Sequence, residues 1–67
     1  MKTLQMKRME QMKFLAEREL AIADGIARRA AVERERGCVG MAEWFEECAV
    51  SRREEAARLA AAAEVTN

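Results

Sequence analysis

Apolar side chains recur along this chain with the 3.6-residue period of an α-helix, and the pattern runs twice. At 100° per residue the first half presents two adjoining seams. Leu4, Met12, Leu15, Ile22 and Ile26 form one; Met9, Met12, Ala16, Leu20, Ala23, Ala27 and Ala30 form the other, built from smaller residues. Together they make a face too wide for one partner helix. The second half offers Met41, Phe45, Cys48, Ala56, Leu59 and Ala63, with Trp44 and Ala62 on its flank. Between the halves, Gly37-Cys38-Val39-Gly40 places two glycines within four residues, the strongest loop signal in the chain.

Charges agree with that division. Arg28, Arg29, Arg34 and Arg36 precede the turn, where cations suit the negative end of a helix dipole. Glu43, Glu46 and Glu47 follow it, where anions suit a helix start. Gly37 reads as the left-handed residue that ends the first helix. The pattern therefore predicts helix one over about 3–36, a turn over 37–40 and helix two over about 41–64. This is an all-α, antiparallel two-helix hairpin forming one domain over 1–67. Asp24-Gly25 is the weak point of helix one, because Gly inside a helix costs about 1 kcal/mol. With no proline in the chain and the apolar seam running on through it, a continuous helix is expected, with Gly25 letting the neighbouring helix approach closely.

Folding the hairpin about its turn pairs residues whose numbers sum to about 77, so residue 64 lies opposite residue 13. Everything earlier overhangs: Met1, Leu4, Met6, Met9 and Met12 are left without intrachain cover. At 67 residues a lone chain buries only ~60% of its unfolded surface and is marginal. A homodimer forming a four-helix arrangement would cover the overhang and supply the missing core. Its interface is expected at Leu4, Met9, Met12, Leu15, Ala16 and Phe45. The alternative occupant of the Met-rich end is a different protein, since Met surfaces adapt to varied partners.

Charged residues also interrupt the seams. Arg8 and Glu19 share a face with Leu4, Leu15 and Ile22; Arg52 and Glu55 interrupt helix two. The register sets Glu19 opposite Arg58 and near Glu55, with Arg52 about one turn away. Glu19, Arg52 and Arg58 therefore read as ion pairs that fix register, as polar core residues do in coiled coils.

Composition narrows the function classes. The chain has no His, no Pro, two Cys and 36% charged residues. Most zinc sites and His-based acid–base chemistry are excluded, and no Gly-rich phosphate loop or Ser-centred elbow is present. Neither an enzyme nor a cofactor is expected. Residues 1–36 carry nine basic and six acidic side chains (+3), residues 37–67 three basic and six acidic (−3). Opposite segments that attract one another argue against a nucleic-acid binder, which needs an uncompensated basic face. The charged start and the lack of any ~18-residue apolar run point to a soluble, cytoplasmic chain with no membrane partner.

Single residues remain as recognition candidates. Trp44 and Phe45 are adjacent, so their side chains diverge by ~100° and are not expected to enter one seam together. Phe45 aligns with Met41 and Cys48, which leaves Trp44 for target recognition or for the dimer core. Phe14 lies on the far side of helix one among Lys7, Arg18 and Arg36, an aromatic placed to stack or to fill a partner's pocket. Cys38 and Val39 are exposed at the turn. Cys38 and Cys48 would sit ~15 Å apart on one helix, beyond disulfide reach.

Helix one ending at Arg34-Glu35-Arg36, the Gly37-Cys38-Val39-Gly40 turn and Trp44-Phe45 early in helix two resemble the small early proteins of Mu-like Pseudomonas phages, in particular the quorum-sensing anti-activators. The resemblance implies a dimeric helical hairpin that inhibits a host regulatory protein, a LuxR-type transcription activator, and also the type IV pilus assembly ATPase, with Trp44 as a contact. The architecture is similar as well to the Rop-type plasmid RNA-binding four-helix proteins, which implies a dimeric nucleic-acid-binding regulator as the alternative. That reading would use Lys7, Lys13, Arg18, Arg28 and Arg29.

Overall fold

The computed structural model describes residues 3–65; Met1, counted above in the overhang, lies outside them. Two helices pack against each other as a hairpin: α1 (Leu4–Glu35) and α2 (Val39–Val65). Thr3 starts α1 because its extended backbone (φ −70°, ψ 163°) lets its hydroxyl accept the Met6 N–H at 3.2 Å. The helix then runs unbroken through Asp24-Gly25.

The reversal is made by three residues. The Gly37 N–H donates to the Arg34 carbonyl at 3.1 Å and the Cys38 N–H to the Glu33 carbonyl at 2.8 Å. With Gly37 at φ +83°, these bonds form a Schellman motif. The Cys38 carbonyl already accepts from Ala42 at 3.0 Å, so the residue that closes α1 also opens α2. The expected turn over 37–40 is therefore shorter, and Val39 and Gly40 belong to α2. A single left-handed residue suffices to reverse the chain, and Gly40 contributes no positive φ.

The core is made almost wholly of alanine. Ala16, Ala23 and Ala30 on α1 and Ala42, Ala49, Ala56 and Ala63 on α2 are all buried, each line repeating every seven residues. Small side chains on both lines let two helix backbones approach closely, and that closeness leaves no room for larger groups between them. This corrects the expected seam on α2. Met41 is exposed, while Ala42 and Ala49, which the apolar pattern had not singled out, take the core. On α1 the alanine seam faces α2, and Leu4, Leu15 and Ile22 of the bulkier seam are exposed. Gly25 is not a point of close approach: a Cβ built there meets only Arg28 Nη2, at 3.8 Å.

Candidate functional site

The alanine line divides the hairpin into two shoulders. Arg34 and Asp24 lie on one side of it along α1, and both reach α2. Arg34 donates through Nε (3.1 Å) and Nη2 to Glu46 Oε1, and Arg53 approaches Asp24 at 3.7 Å. The hydrogen bonds and charge of Glu46 hold the Arg34 guanidinium more firmly protonated than usual, with Glu43 adding to the effect. This shoulder carries both of these ion pairs, with Leu20, fourteen residues before Arg34, and Val39, seven before Glu46, exposed on it.

The other shoulder is apolar at its ends and charged in its middle. Three residues after or four residues before a buried alanine stand Met12, Glu19 and Ile26 on α1 and Phe45, Arg52 and Leu59 on α2, again seven apart. Arg52 Nη1 donates to both carboxylate oxygens of Glu19, at 3.1 and 3.3 Å. That bond fixes the register: Glu19 faces Arg52, so Ile26 faces Phe45 and Met12 faces Leu59. Met12, Ile26, Phe45 and Leu59 are each half-buried, covered by the neighbouring helix on one side only. Leu15 and Ile22, one helical turn from Glu19, widen this shoulder on α1.

Towards the turn it deepens into a groove of about 470 Å³ lined by Ile26, Trp44, Phe45, Glu47, Cys48, Ser51 and Arg52. Trp44 and Phe45 both line it, with ring centroids 5.0 Å apart and planes tilted by 59°. The expected divergence of these neighbours is thus overcome. Their side chains leave the helix in different directions, and the long indole folds back over the phenyl ring. Trp44 is 56% exposed, so it is no part of the chain's own core.

Other expected residues fall elsewhere. Phe14 is exposed in a second groove with Lys7, Glu10, Gln11 and Leu15; Arg18 and Arg36 do not line it. Cys38 and Val39 are exposed beside the turn. Ala16 is covered within the chain and leaves no surface for a second copy, whereas Leu4 and Leu15 are exposed and Met9 and Met12 half-exposed. Arg58 pairs with Glu55 on its own helix at 2.7 Å instead of with Glu19. The residue that sequence reasoning missed is Glu33, the one buried charged side chain among the described residues. Arg29 at 3.0 Å and Arg36 at 3.4 Å neutralise it from the same helix. Its signal was its place seven residues after Ile26, flanked by arginines four before and three after.

Among the described residues, no three His, Cys, Asp or Glu side chains gather to hold a metal ion, and no helix is long and apolar enough to cross a membrane. No protein-family model matches the chain, and no curated protein and no solved structure matches it either.

Proposed function

We propose that this chain is a protein-interaction module without catalytic activity: a small homodimeric inhibitor that acts by covering a surface of a host regulatory protein. The observation that carries this reading is the inversion of its apolar side chains. Among the described residues the interior is alanine, while twelve large apolar residues, Trp44, Phe14, Met41 and Val39 among them, are exposed. Exposed apolar surface on so small a protein is explained by partners that cover it. Trp44, half out of a groove and backed by Phe45, has the character of an interface anchor.

The resemblance of the turn and of Trp44-Phe45 to phage anti-activators supports a LuxR-type transcription activator as the target, with the type IV pilus assembly ATPase as a further one. The alternative, a Rop-type nucleic-acid binder, draws less support. Of the residues that reading would use, Arg29 lies beside Glu33, and the chain as a whole carries no net charge, so the positive field it offers a phosphate backbone is small.

The test is a transcriptional reporter driven by a LuxR-type activator in cells expressing the chain. Repression is expected, together with co-purification of the activator, and both should be lost with Trp44→Ala. A reporter that is unaffected at saturating expression of the chain overturns the assignment of this target.

A further inference from the structure

We infer that the apolar shoulder of the hairpin is covered by a second copy, around a two-fold axis running along the helices, so that Glu19 of each copy meets Arg52 of the other. This rests on the homodimeric reading above and specifies its face and symmetry, neither of which that reading fixes.

Three observations lead to it. The accessible surface, 5126 Å², exceeds by about 800 Å² the roughly 4,300 Å² of a compact monomer of 7.6 kDa, and ~800 Å² is what a standard interface takes from one partner. Along this shoulder three layers repeat at seven-residue spacing, half-buried Met12 with Leu59, Glu19 with the exposed Arg52, and half-buried Ile26 with Phe45, the repeat that packs helices side by side. The third observation is the charge in the middle layer. Glu19 is mostly covered, its side chain 20% exposed, while Arg52 is 49% exposed and retains donors to offer.

The charges choose between the two ways of stacking hairpins face to face. With the axis across the helices, α1 lies on α1, and Glu19 stacks on Glu19 and Arg52 on Arg52. Like charges in contact at an interface cost several kcal/mol. With the axis along the helices, α1 of each copy lies on α2 of the other. The middle layer then becomes an alternating square of two carboxylates and two guanidiniums, and Ile26 meets the second copy's Phe45 above or below it. Both turns lie at the same end of the assembly.

Charge reversal tests the face. Glu19→Arg and Arg52→Glu should each weaken dimerisation at least about tenfold in sedimentation, as like charges then fill the middle layer. An equimolar mixture of the two variants should recover a dimer, and should recover helicity as well if either variant alone is unfolded. A wild-type dimer whose strength survives both reversals overturns this face while leaving the dimer standing, as does a mixture that stays monomeric. A wild-type chain that is monomeric at tens of micromolar overturns the homodimer and this inference together; because Trp44 lines the groove on this same shoulder, loss of repression with Trp44→Ala counts as a lost target contact only where that variant is still a dimer in sedimentation.

Spin labels on Cys38, in a Cys48→Ala background, test the symmetry. With the turns together the labels should lie within about 30 Å, the span of a few helix diameters of 10–12 Å. With the axis across the helices, each Cys38 lies about 21 Å along the helix from the Glu19–Arg52 layer on opposite sides of it, so a separation of roughly 40 Å or more overturns the axis along the helices.

Discussion

The indole of Trp44 lies tilted against the ring of Phe45, 5.0 Å away, with more than half of its own surface left open. The two neighbours divide the work between them. Phe45 is half-buried against α1 and contributes to the hairpin, whereas Trp44 extends that apolar surface outwards. Trp44→Ala is therefore expected to lower the stability of the hairpin by no more than about 1 kcal/mol. Phe45→Ala removes a packed ring and should cost about 3 kcal/mol. Thermal melts followed by circular dichroism, at one fixed protein concentration, would separate the two. If Trp44→Ala unfolds the chain, the indole is core and not recognition surface.

The alanine lines make a second expectation. Ala49 is 1% exposed and sits where the helix backbones approach each other, so Ala49→Leu must push them apart. Overpacking of this kind costs about 1–3 kcal/mol. Ala57→Leu, on the exposed side of the same helix, should stay within about 0.5 kcal/mol. In a chain of this size each kcal/mol moves the melting midpoint by roughly 4–8 °C, so equal midpoints for the two variants would contradict an alanine core.

The helices and their turn were legible in the sequence because period, glycine and charge all bear on them locally. Ala16, Ala23 and Ala30 were legible for the same reason. The α2 core was not, because hydrophobicity ranks Met41 and Phe45 above Ala42 and Ala49, whereas close helix packing ranks side chains by how little space they occupy. The seven-residue spacing of Ala42, Ala49, Ala56 and Ala63 carried the answer. The Glu19–Arg52 bond was harder to reach. Arg52 and Arg58 are equally cationic, and only the three-dimensional register decides which of them Glu19 meets. Glu33 was hidden because a carboxylate is expected outside, and its burial depends on two arginines of its own helix.

Two glycines with opposite roles give a paired prediction. Gly37 holds φ +83°, a conformation that costs an L-residue roughly 1–2 kcal/mol, so Gly37→Ala should destabilise by that amount. Gly25 sits in regular helix, and a methyl there meets only the far end of Arg28 at an ordinary contact distance. Gly25→Ala should stabilise by about 0.5–1 kcal/mol, through helix propensity and a less flexible unfolded chain. Denaturant melts would measure both, and a destabilising Gly25→Ala would mean that another helix packs on Gly25 in the assembled protein.

Glu33 supplies the last test, because its carboxylate is buried and held between two guanidiniums at the end of α1. Glu33→Gln keeps the shape and removes the charge, leaving Arg29 and Arg36 repelling each other around a neutral amide. Hydrogen bonds to a charged group contribute about 1.5–3 kcal/mol when sheltered, and the half-exposed arginines reduce that figure. A loss of about 1–2 kcal/mol is expected. Double-mutant cycles with Arg29→Ala and Arg36→Ala should return coupling free energies to both arginines, the larger to Arg29, which lies closer. Because the Cys38 N–H also binds the Glu33 backbone carbonyl, the variant should loosen the turn. Faster amide exchange at Cys38 in Glu33→Gln would follow; unchanged exchange, with no loss of stability, would mean that the buried carboxylate contributes nothing to closing the hairpin.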